Sequence, residues 1–104
     1  MATELTAGLL LDRRIYSRVF GVDITAVLPF GVSIHAMPLY STTWEGAGLV
    51  VERMRALGFS LGLDVYASSQ HPAAEFTHKD GRYAREPGDT PPEAICRAAL
   101  AVQP

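Results

Sequence analysis

Apolar residues return every fourth position near the start of the chain. Leu11, Ile15 and Val19 lie one turn apart, Tyr16 and Phe20 widen the stripe, and Arg13, Arg14, Ser17 and Arg18 fall on the other side. This amphipathic pattern predicts a helix over about residues 3–20. Gly21 is its terminator, because glycine accepts the left-handed conformation without a Cβ clash. The period then changes. Val22, Ile24, Ala26 and Leu28 are interleaved with Asp23 and Thr25, and Val32, Ile34 and Ala36 resume the alternation after Pro29-Phe30-Gly31. Two strands joined by a turn are the economical reading.

A second helix is announced by Ser41-Thr42-Thr43-Trp44-Glu45. Thr42 as N-cap and Glu45 three positions later match a capping box. Trp44, Ala47, Val51 and Met54 would form the core face, Gly46 and Gly48 would let the helix approach a sheet closely, and Gly58 would end it. Phe59, Leu61, Leu63, Val65 and Ala67 alternate with polar or small residues and predict a strand over residues 59–68. A polar loop comes next. Residues 74–78 and 82–85 then read as a hairpin around Lys79-Asp80-Gly81. The last helix starts at Thr90, with Pro91 in the first turn and Glu93 closing a second box. Ile95, Ala98, Ala99 and Val102 are its core face. The order is α-β-β-α-β-β-β-α, an α+β fold in which three helices cover a mainly antiparallel sheet.

Composition narrows the class. A chain of 104 residues with 48% hydrophobic residues makes one domain with a core of its own. One cysteine cannot form an internal disulfide, so a reducing, cytoplasmic setting is expected. The apolar run at Leu9–Leu11 is too short for a membrane span or a signal-peptide core. The net charge is −2 and basic residues are mixed with acidic ones, so nucleic acid is not the expected partner.

No catalytic constellation is legible. Cys96 sits among small apolar residues and away from the helix start that would activate it, so it is expected to pack. His35, His71 and His78 lack the spacing of a metal site, and no cofactor motif is present. Asp23, Asp64 and Glu75 are on predicted strands that could share a sheet face. The surplus is polar-aromatic: Tyr40, Trp44, Tyr66 and Tyr83 are residue types used in contacts. With His35 and Thr42 they form the candidate binding set. The first turn behind Trp44 offers backbone amides that could receive an anion.

Three segments, LLLDRRIYSRVFG (9–21), YSTTWEGAGLVVERMRALGFSLGL (40–63) and DTPPEAICRAALAV (89–102), resemble the phage ABA sandwich domain family. The family pattern has a helix closed by a hydrophobic pair and Gly, a Ser-Thr-Asp-led helix running into a strand, and a closing helix like AICRAAL. Position 43 is Thr where the family commonly has Asp, so a role of that carboxylate is absent here. The segment between Gly21 and Tyr40 departs from the family's aromatic stretch. The resemblance implies a three-layer α/β/α sandwich and a phage or prophage origin, and supplies no reaction. The expected function is a non-enzymatic binding protein that modulates the host, as an anti-defence inhibitor for example, by binding a host protein or sequestering a small anionic ligand. The alternative is an oligomeric structural or assembly accessory of the phage. A homo-oligomer is compatible with either.

Overall fold

The computed structural model describes residues 6–22, 37–65 and 71–103. The hairpin expected between the first two helices lies outside them apart from Val22, as do His35 and Tyr66.

Helix α1 spans Leu9–Arg14 and continues through a π-helical turn at Ile15–Val19, where the Phe20 amide reaches back five residues to the Ile15 carbonyl at 3.2 Å. It starts later than residue 3: Thr6 to Gly8 are not helical, and Gly8 has φ +131°. The cause is a tertiary partner, since the Gly8 amide donates to Ser41 Oγ at 2.9 Å. Leu11, Ile15 and Val19 are buried as their spacing requires, and Gly21 has φ +73° just past the end.

Helix α2 spans Trp44–Ala56, and its N-cap is Thr43 rather than Thr42. Thr43 Oγ1 accepts from the Gly46 amide at 3.0 Å and donates to the Leu39 carbonyl at 2.8 Å. That second bond, to the chain entering the helix, selects Thr43 over its neighbour. Glu45 consequently falls one position short of closing a box. The core stripe is Gly46, Ala47, Val50 and Met54; Val51 is half-buried. Trp44 precedes Gly46 by two residues, about 200° around the helix, and its side chain is 60% exposed. The expected packing of Trp44 on the core face is therefore wrong. Gly46 serves a close approach, but to backbone rather than sheet: a Cβ there would collide with the Leu39 carbonyl and lie 2.7 Å from Tyr40 Cα, while Gly48 faces open space.

Strands β1 (Phe59–Asp64), β2 (Ala73–His78) and β3 (Tyr83–Pro87) form an antiparallel sheet in that order. The β2–β3 turn is the expected one, with Gly81 at φ +103° and its amide on the His78 carbonyl at 2.9 Å. Register puts Leu61 opposite Phe76 and Phe76 opposite Ala84 on the inner face, and Gly62, Glu75 and Arg85 side by side on the outer face. Helix α3 (Pro91–Ala101) has the expected cap, Thr90 Oγ1 accepting from the Glu93 amide at 3.3 Å. Glu93 returns its bond one residue earlier, to the Asp89 amide at 3.0 Å.

Helix α3 lies across β2 and β3, α2 packs on β1 and α3, and α1 rests on α3 and α2. One core results, joining Leu11, Ile15, Met54, Phe59, Phe76 and the small residues of α3. Ala94, Ala98 and Ala99 are fully buried, which is why an alanine-rich helix suits this position. The fold is α+β, the described elements follow the expected order, and among the described residues the helices cover one face of the sheet.

Candidate functional site

The starts of α2 and α3 flank an open groove of about 330 Å³, with Trp44 and Thr42 on one wall and Thr90, Pro91 and Pro92 on the other. Ala7 and Ser41 complete it. The groove depends on a buried carboxylate that sequence reasoning missed. Asp12 is 1% exposed, and its Oδ1 accepts from the Ser41 amide at 2.8 Å and the Ser41 hydroxyl at 2.7 Å. Since Ser41 Oγ also holds the Gly8 amide, the carboxylate fixes the α1 entry and the 39–43 segment together. The only signal in the sequence was an acidic residue inside the Leu11-Ile15-Val19 stripe; its partner is 29 positions away.

Among the described residues no cationic side chain lines the groove. Pro91 and Pro92 have no amide proton and Thr90 accepts from the Glu93 amide, while on α2 Thr43 accepts from the Gly46 amide. The α3 start is thus used up by its prolines and its cap, the α2 start is capped at Gly46 alone, and the lining is mainly apolar. Burial of the indole by a partner apolar surface is the chemistry it offers.

The predicted binding residues separate. Trp44 and Thr42 meet at the groove. Tyr40 does not: it is 2% exposed and stacks on Phe20 at 5.1 Å, with Tyr16 at 6.4 Å. Burial, reinforced by the nearby Tyr16, Asp12 and Cys96, pushes its hydroxyl up to about 12. Tyr83 is on the outer sheet face, donating to Glu75 Oε1 at 3.1 Å. Arg85 bridges the same Glu75 at 2.9 Å and Asp64 at 3.4 Å, so those two carboxylates do share a face, with one guanidinium between them.

Cys96 is fully buried in α3. Its thiol is pushed well above the usual range by burial first, then by the Asp12 and Glu93 charges. A thiolate nucleophile is disfavoured there. His78 packs edge-on to Phe59 at 5.0 Å and its Nδ1 accepts from the Asp80 amide at 3.0 Å. His71 lies beside Asp89 at 3.6 Å, on a shallow cavity of about 180 Å³ shared with Gly88 and Arg97. Among the described residues no three His, Cys, Asp or Glu side chains are grouped to hold a metal ion, and no helix is long and apolar enough to cross a membrane.

The phage ABA sandwich domain pattern matches residues 13–100 of the chain. The crystal structure of a phage protein from Bacillus cereus ATCC 14579 is similar over 98% of this chain and 92% of its own, with a TM-score of 0.76 and 23% identity. That likeness is one of fold. No curated protein matches the chain. With the pattern running from α1 into the last turn of α3, the chain belongs to the phage ABA sandwich domain family.

Proposed function

We propose that this phage or prophage protein is a non-enzymatic binding protein that modulates the host by docking on a host protein through the groove between the starts of α2 and α3. The observation that carries this reading is the exposure of Trp44, the sole tryptophan, against an apolar wall of Pro91 and Pro92. A large aromatic side chain left in water on a rigid helix is the kind of group that dominates protein interfaces once desolvated. Defence evasion is one use such a module would serve. The sequestration of a small anion has less support, because the groove's lining is mainly apolar and, among the described residues, holds no cationic side chain. Buried Cys96 is consistent with a protein that performs no thiol chemistry.

The experiment is a comparison of wild type and Trp44→Ala, immobilised and exposed to host lysate. A host protein retained by wild type and weakened roughly 30-fold or more in the variant is expected of a central aromatic anchor. Identical retention profiles would remove the groove as the binding surface. Titrating nucleotides while following Trp44 fluorescence checks the anion alternative, and large homogeneous particles in light scattering would favour an assembly role instead.

A further inference from the structure

Five of the nine basic residues, Arg13, Arg14, Arg18, Arg53 and Arg55, lie on the C-terminal parts of α1 and α2. All five are exposed. These parts are joined directly, since Arg53 Nε donates to the Val19 carbonyl at 3.1 Å. Arg14 and Arg18 are one turn apart on α1, close enough for like charges to repel. Among the described residues none of the five has an ion-pair partner, although Arg82 and Arg85 elsewhere are paired at 2.9 Å. Glu52 is the exposed carboxylate on the same stretch of α2, and Asp12 is buried beneath. A protein of net charge −2 therefore concentrates its cations at one end.

The helix dipole accounts for part of this, because cations are favoured at a helix C-terminus, but the effect fades within the last turn and Arg13 and Arg14 precede the π-helical turn. That turn is a second observation. Isolated π-helical turns occur frequently at functional sites, and this one carries Arg18. The geometry points to a docking surface, formed by Arg14, Arg18 and Arg53, for a carboxylate-rich segment of a protein partner. Guanidinium forks pair with carboxylates bidentately. A nucleic acid fits less well: among the described residues no exposed aromatic side chain accompanies the arginines for base stacking, and a long polyanion running past the patch meets the acidic remainder of the surface. The surface is separate from the Trp44 groove, at the opposite end of α2.

The test uses a fluorescent glutamate oligomer and a single-stranded oligonucleotide of matched charge, with binding read by anisotropy at low salt. The wild type is expected to bind the glutamate oligomer more tightly than the oligonucleotide. Arg14→Glu/Arg18→Glu should weaken that binding about tenfold or more, as should raising the salt several-fold. Arg85→Gln, on the outer face of the sheet away from the helices, should change it by less than about twofold. Circular dichroism confirms that the variants fold, and the milder Arg14→Gln/Arg18→Gln stands in if they do not. Absence of binding, an equal loss in Arg85→Gln, or preference for the oligonucleotide overturns the proposal. Trp44→Ala should bind the oligomer normally, so failure here and failure of the groove are read separately.

Discussion

Asp12 and Ser41 are joined by two hydrogen bonds to a single carboxylate oxygen, from the Ser41 amide at 2.8 Å and the Ser41 hydroxyl at 2.7 Å. Removing the carboxylate leaves a buried amide without an acceptor, which costs more than the bond itself contributed. Asp12→Ala is expected to lower stability by about 2–3 kcal/mol in urea unfolding. Asp12→Asn, which keeps one acceptor oxygen, should cost less. Equal losses in the two variants would mean that burial of the side chain, not its acceptor, is what matters.

Gly46 and Gly48, about 3 Å apart along the helix axis, should respond oppositely to alanine. Gly48→Ala meets no neighbour and should raise stability by up to about 1 kcal/mol through helix propensity. Gly46→Ala drives a Cβ into the Leu39 carbonyl and should destabilise by about 1–3 kcal/mol, at the level of other overpacking changes. Thermal melts of the pair decide it.

Tyr40 fixes an alkaline limit. Its folded-state pKa of about 12 lies above the ordinary value of 10.0, so the folded chain keeps that proton where the unfolded chain has lost it. The stabilisation is complete below pH 10.0, and falls as pH rises towards about 12. Denaturant titrations across this window should show stability declining, with a slope one proton smaller in Tyr40→Phe.

Cys96 should resist thiol reagents in the native state and react once the protein unfolds. With the side chain fully buried, labelling requires opening, and a rate on the order of 10²–10³ times slower than for a free thiol is expected. Labelling as fast as in denaturant would make Cys96 a reactive group after all.

Much of the fold was legible because local chemistry and tertiary packing agree. The Leu11-Ile15-Val19 stripe, the Thr90-Pro91 start and the Asp80-Gly81 turn each have one satisfactory structure. The errors fall where a distant group chose between equals. Thr42 and Thr43 are alike until Leu39 accepts a bond from the second. Tyr40 and Trp44 are both amphipathic aromatics, and only the close passage of α2 over Leu39 and Tyr40 buries the first and leaves the second outside. The role of Asp12 was hidden because its partner Ser41 is remote in sequence. His35 and Tyr66 lie outside the described residues.

The π-helical turn at Ile15–Val19 also sets an angular phase. It lodges one more residue in the turn than an α-helix does, and so rotates the residues after it relative to those before it. Deleting a single residue there would restore a regular helix and swing Val19 and Phe20 by about 100°, away from Arg53 and Tyr40. Chain length in this one turn is therefore coupled both to the aromatic stack inside and to the alignment of arginines outside. A relative with a shorter α1 must re-pack the Phe20–Tyr40 contact or carry its cations on a different face.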